Sequence, residues 1–166
     1  MNIFIYDYDI ITCSVYHPDK HCVKMPTEYA QILCNAFPLG YPPYKRTHYN
    51  HPACIFARQT EDNYRYLIEL GIRVSEEYTF RYERRHKSQD VIEWCERNLH
   101  MLEFSESGLT PFALAMPDEY KTDDVVDSYR NFFNGDKLHI AKWKKRELPH
   151  WINLDALHKR QSLNHT

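Results

Sequence analysis

The sequence predicts a mainly α protein: a single helical domain with at most a short β segment at its N-terminus. Three observations carry that expectation. Apolar residues recur every three or four positions over Tyr64, Leu67, Ile68, Ile72, Tyr78 and Tyr82, with Gly71 and Ser75 as small members of the same stripe. Helix punctuation is frequent, with Pro18 and Pro52 at starts, Ser88 and Thr122 as caps and Asn134-Gly135 as a stop. Only 4 of 166 residues are Gly and no Gly-rich phosphate loop is present, which excludes a Rossmann or P-loop architecture. With no linker, repeat or low-complexity stretch, one domain is expected over residues 1–157, followed by a polar, frayed tail over 158–166.

In chain order, residues 2–6 (NIFIY) read as extended chain or a short strand, and Ile10 to Tyr16 as a helical turn. Pro18 suits the first position of a helix that runs toward residue 36. Pro26 should kink that helix or restart it as PTEYAQILCNAF. Residues 37–52 (FPLGYPPYKRTHYNHP) form a long, aromatic and basic loop of the kind that carries function. The helical pattern resumes at Pro52 and continues to Tyr82. Ser88 then caps a helix that uses Val91, Ile92, Trp94 and Cys95. Residues 103–121 are irregular, with Gly108, Pro111 and Pro117. Thr122 caps the next helix, whose positive end suits Asp123 and Asp124, and a further helix over 136–146 leads to Pro149 and Trp151.

Net charge is −2, but the signs are segregated. Seven acids and one Lys lie between Glu103 and Asp127, whereas Lys137, Lys142, Lys144, Lys145 and Arg146 follow with no acid among them. Such segregation fits one electropositive face, or charged helices that pair with each other. No apolar run approaches the ~20 residues of a membrane span. Five cysteines, an odd number without a CxxC motif, point to reduced thiols in a cytoplasm. Cys34 and Cys95 fall inside apolar helical patterns, as small buried hydrophobes do.

Two His-rich segments carry the candidate chemistry. In the first, His17, His21, Lys24 and Glu28 would share one face of an unbroken helix, beside Lys20. Lysine neutralises phosphate, imidazole titrates near neutrality and carboxylate accepts protons. The second, Tyr44-Lys45-Arg46-Thr47-His48-Tyr49-Asn50-His51-Pro52, places cations, a hydroxyl and two imidazoles at the mouth of a helix. His21, Glu28 and His51 are therefore the expected catalytic residues. Lys20, Lys24, Tyr44, Lys45, Arg46, Thr47, His48, Asn50, Arg58 and Trp143 are the expected phosphate or substrate contacts, with Tyr44 and Trp143 as stacking surfaces. Two stretches that interleave cations with rings, 78–87 and 142–151, also suit nucleic acid. No metal or cofactor is expected, because Pro18 stands where a zincin motif needs Glu.

The strings D-K-H-x-x-K-M (Asp19 to Met25), T-H-x-N-H-P (Thr47 to Pro52), E-Y-T-x-R-Y (Glu77 to Tyr82), H-K-S (His86 to Ser88) and L-T-P-F-A-x-A-M-P (Leu109 to Pro117) resemble a family of small proteins carried by tailed bacteriophages and some bacteria. The resemblance spans nearly the whole chain to Trp151 and implies no particular reaction; Pro26 departs from it. A looser similarity is to the phage pyrimidine-dimer glycosylases of the endonuclease V type, which are small, helical, and basic and aromatic toward the C-terminus. That family uses an N-terminal amine beside a catalytic Glu. The Met1-Asn2 start and its β-prone continuation do not suit such a nucleophile, so only the analogy of a small helical DNA-repair enzyme is kept. The expected function is a phage-type enzyme acting on nucleic acid or nucleotides in the host cytoplasm. The alternatives are a non-enzymatic module that binds nucleic acid or a host protein, and a metalloprotein using His17, His21, His48 or His51 with Glu28.

Overall fold

A computed structural model describes residues 1–164. Among these residues the chain forms seven α-helices and no β-strand beyond an isolated bridge between Thr60 and Glu106. Every one of these helices except α2 starts where a side chain satisfies one of the first free backbone N–H groups. Asp9 caps α1 (Ile10–Tyr16) by accepting the Thr12 N–H. Helix α2 (Asp19–Cys34) begins one residue later than predicted, with Pro18 as its N-cap, and it continues through Pro26 without a break. Proline there forgoes one backbone hydrogen bond. Burial of Met25, Tyr29, Ile32 and Leu33 on the same helix holds it together regardless.

The helix predicted from Pro52 to Tyr82 is two helices, α3 (Pro52–Gln59) and α4 (Glu61–Tyr82). Thr60 separates them in an extended conformation, and its hydroxyl accepts the Asn63 N–H as the α4 cap. His86, not Ser88, caps α5 (Lys87–Arg97), with its Nδ1 accepting the Ser88 N–H at 3.1 Å. The Ser88 hydroxyl instead lies 2.9 Å from both Thr27 and Tyr44 hydroxyls, tying α2 and the 37–52 loop to α5. Asp124 caps α6 (Val125–Asp136), while Thr122 supports that cap by accepting the Asp124 N–H.

The helix expected over 136–146 does not form. A three-residue 3₁₀ turn, Leu138–Ile140, is followed by irregular chain with Lys145 in the left-handed region at φ 63°. Distant partners set this path: the Lys142 carbonyl accepts the Asp19 N–H, the Asp19 carboxylate accepts the Lys144 N–H, and the Trp143 indole donates to the Tyr16 carbonyl, each at 2.8 Å. The tail is also more ordered than predicted. Helix α7 (Leu154–Leu163), capped by Asn153, covers most of it, and residues 165–166 lie outside the described residues.

Helix α2 packs on α4 and α5, and α4 also carries α1 and α3. The opening segment Asn2–Tyr6 is buried and extended, but no strand pairs with it. Side-chain groups take its hydrogen bonds instead. The Phe4 N–H donates to the Tyr29 hydroxyl, the Tyr129 hydroxyl donates to the Asn2 amide oxygen, and Arg130 donates to the Tyr6 carbonyl. No helix among the described residues is long and apolar enough to cross a membrane.

Candidate functional site

Burying the opening segment against α2 decides the geometry of the first His cluster. The Phe4 ring stacks on His21 at 4.2 Å, and the Tyr6 hydroxyl lies 3.3 Å from His21 Nδ1. His21 is only 5% exposed. Burial, followed by the nearby charges of His17, Lys137 and Lys24, pushes its pKa well below the ordinary value, so the ring is neutral. Burial, and to a lesser degree the neighbouring Cys13, keeps Tyr6 protonated, so its O–H can donate to Nδ1. His21 Nε2 has no hydrogen-bond partner among the described residues.

Three and seven residues further along α2 lie Lys24 and Glu28, ion-paired at 3.3 Å. Lys137 joins them from just after α6. Its ammonium sits 5.4 Å from the Phe4 ring and 4.9 Å from Phe132, with no ion-pair partner among the described residues. Burial lowers its pKa, and the charge of Lys24 lowers it further, against Asp136 and Glu28. A half-buried ammonium without a counter-ion, beside a second lysine, is a ready place for an anion.

The second His segment reaches the same corner through α3. His51 is the N-cap of α3, its Nδ1 accepting the Ala53 N–H at 3.0 Å, so the neutral ring carries its proton on Nε2. Desolvation is the first cause of its lowered pKa; the Met1 amino group and His48 add to it, and Glu28 opposes them. The charges of Glu28, His48 and the Met1 amino group thus each reach His51. The Cys54 thiol, in the first turn of α3, donates to the Met1 sulfur at 3.4 Å and holds that end in place. Beyond it, Arg46 and Arg58 stack on the Tyr49 ring, 4.2 and 3.8 Å from its centroid, and neither has a carboxylate partner among the described residues. His21, Lys24, Glu28, Lys137, His51, His48, Arg58 and Arg46 consequently form one chain of neighbours.

Other expected residues fall elsewhere or are structural. His17 is fully buried: its Nδ1 donates to the Cys13 carbonyl and its Nε2 accepts from the Tyr29 hydroxyl, each at 2.8 Å. Both ring nitrogens are engaged, and no group of three or more His, Cys, Asp or Glu is placed to hold a metal among the described residues. Trp143 is 8% exposed and packs on Phe133 at 5.6 Å, so it is a core residue and not the stacking surface expected. Tyr44 is half-buried with its hydroxyl held by Ser88. Thr47 shapes the loop, its N–H donating to Asn35 Oδ1 and its hydroxyl lying 2.7 Å from His48 Nδ1. Lys20, Lys45 and Asn50 are exposed and unpaired.

Part of each aromatic-basic stretch is engaged internally, while Lys87 and Lys142 are exposed without an ion pair among the described residues. Arg81 is fully buried, donating to Glu77, Asp19 and the carbonyls of Val15 and His17. Arg146 pairs with Glu77, Lys145 with Glu83, and Arg85 with Asp90 and Glu93. These partners lie outside the acid-rich 103–127 stretch, so the two segregated runs of charge do not pair with each other among the described residues. Lys137 was missing from the expected contacts, because only its packing on Phe4, 133 positions earlier, brings it to the site. Comparison with known proteins gives no match to a family model, a curated protein or a solved structure.

Proposed function

We propose that this chain is an enzyme of nucleic-acid or nucleotide chemistry, of the repair or modification kind, that holds phosphate along the strip from Lys137 and Lys24 to Arg58 and Arg46. The observation that carries the reading is Lys137, a half-buried ammonium with no ion pair, next to the unpartnered Nε2 of His21. Phosphate oxygens would take both donors without breaking an existing bond. Glu28 is the general base, since its carboxylate is the one acceptor among these donors. His51, neutral with its proton on Nε2, is the hydrogen-bond donor and acid. The phage-protein strings D-K-H-x-x-K-M and T-H-x-N-H-P contain His21, Lys24, His48 and His51, which gives the resemblance and the site the same residues.

The test has two arms. A labelled DNA oligonucleotide is titrated over a salt series. The log–log plot of affinity against salt should have a negative slope, which Lys137→Met and Arg58→Met each reduce by about 1. A slope near zero overturns the reading. Base release and strand cleavage are then followed on intact and damaged duplex, where Glu28→Gln should abolish turnover and leave binding in place. Turnover that survives Glu28→Gln removes Glu28 as the base.

A further inference from the structure

A second chemical site lies where α2 ends against α5, sharing only Arg46 with the strip described above. Cys34, in the last turn of α2, and Cys95, in the third turn of α5, have sulfurs 3.8 Å apart. Both thiols are free and buried, but Cys34 also lines a cavity of about 280 Å³. The loop residues Phe37, Pro38 and Tyr44 form part of its wall, and Lys45 and Arg46 bring positive charge to it. Cys34 is thus the sulfur that a small solute in the cavity would meet, and Cys95 is the sulfur behind it.

The geometry points to a thiol-oxidation site in which hydrogen peroxide entering this cavity converts Cys34 and Cys95 into a disulfide between α2 and α5. The two sulfurs differ in the way such a pair needs. The Cys95 S–H donates to Cys34 and, more weakly, the Tyr44 backbone N–H acts on it too, so the Cys34 thiol is lowered although burial opposes this. The same bond, with burial, raises Cys95, which keeps its proton. A thiol lowered in this way, beside cations and with a second thiol in contact, is the arrangement of oxidisable pairs.

The chemistry balances in two steps. The Cys34 thiolate attacks one peroxide oxygen; an S–O bond forms, the O–O bond breaks, and the departing hydroxide takes up a proton to leave as water. Cys34 is now a sulfenic acid. The Cys95 sulfur attacks it; the S–S bond forms, the S–O bond breaks, and the hydroxyl leaves with the Cys95 proton as a second water. Two thiols are oxidised by two electrons and one peroxide is reduced to two waters. The sulfurs must close from 3.8 Å to about 2.05 Å.

The test is made on the folded full-length chain treated with hydrogen peroxide. Titration under denaturing conditions should find the free thiols falling from five to three. Peptide mapping should find one cross-link, Cys34 to Cys95, which dithiothreitol removes. In Cys95→Ala the reaction should stop at Cys34, where dimedone captures the sulfenic acid. Five thiols surviving peroxide, a cross-link that involves Cys13, Cys22 or Cys54, or Cys34 passing to sulfinic acid without a cross-link in the unaltered chain would each overturn the proposal. The mapping needs no substitution, so a variant that failed to fold would not blunt it.

Discussion

Replacing Arg81 with Met keeps much of the aliphatic stem and removes the guanidinium. Five hydrogen bonds are lost: two to Glu77 Oε2 at 3.1 and 3.0 Å, two to the His17 and Val15 carbonyls at 2.8 Å, and one to Asp19 at 3.1 Å. Glu77, with a side chain 4% exposed, would retain only the half-exposed Arg146 as a cation. The two carbonyls would be left without this donor at the junction of α1 and α2. Removing one partner of a buried ion pair costs about 3–5 kcal/mol. The residual Arg146 contact argues for the lower half, about 3–4 kcal/mol. For a chain of this size that is a drop in Tm of roughly 6–16 °C, at about 2–4 °C per kcal/mol. Urea unfolding followed by circular dichroism at neutral pH reads the loss directly. A change under about 1 kcal/mol, the range of a surface ion pair, would refute the argument. If the proposed phosphate strip binds DNA, that affinity should be unaltered in the folded variant, since Arg81 is fully buried.

Three further outcomes follow from the same geometry. Burial, the largest cause, takes the His17 pKa from 6.5 down to about 4. Between those values the unfolded chain binds the extra proton, so stability is full above pH 6.5 and falls by about 3 kcal/mol as pH drops toward 4; a urea midpoint unchanged between pH 7 and 5 would contradict this. Thr60→Ala removes the α4 cap and should cost about 1–2 kcal/mol in urea unfolding, whereas Thr60→Ser should restore most of it; equal losses would show that the hydroxyl is not the cap. Gly135→Ala brings a Cβ within 2.3 Å of the Tyr120 ring, against 2.9 Å from the mobile end of Ile92 at Gly71. The Gly135 change should therefore cost about 1–3 kcal/mol and more than Gly71→Ala, where a gain in helix propensity offsets the contact; the reverse order in a thermal melt would contradict this.

Local signals in the sequence were good guides to helices and poor guides to distant partners. The stripe of Tyr64, Leu67, Ile68, Ile72, Tyr78 and Tyr82, with Gly71 and Ser75, is legible because its period alone points one face inward; Ile72 and Tyr82 are partly buried and the others buried. The break at Thr60 had a local signal too, an N-cap residue followed by Glu61 and Asp62, but it was masked by the apolar pattern running across it. Residues 136–146 were misread because their path depends on Asp19 and Tyr16, more than 120 positions away. The site follows the same division. His21, Lys24, Glu28, His48 and His51 were visible as residue types in two segments. Lys137 was not, because nothing in its own neighbourhood distinguishes it from Lys142 or Lys144. Arg81 and Trp143 sat in convincing nucleic-acid patterns, yet the core claims both.

The buried extended segment Asn2–Tyr6 sets the order in which this chain can be completed on a ribosome. Phe4 meets Tyr29 and His21 early, but Asn2 and Tyr6 also have partners on α6 that are made much later. Tyr6 waits for Arg130, 124 positions later, and at about 5–20 residues per second that is roughly 6–25 s of synthesis. Helices α2, α4 and α5 can meet well before then, but the apolar sequence NIFIY has no strand to pair with and no finished groove to enter. The faces of Phe4 and Tyr6 that Tyr129 and Phe133 cover remain open to the wrong neighbour until α6 is made. Slowed elongation after residue 97, when α5 is complete but α6 is not, would lengthen that exposure and favour aggregation of the nascent chain.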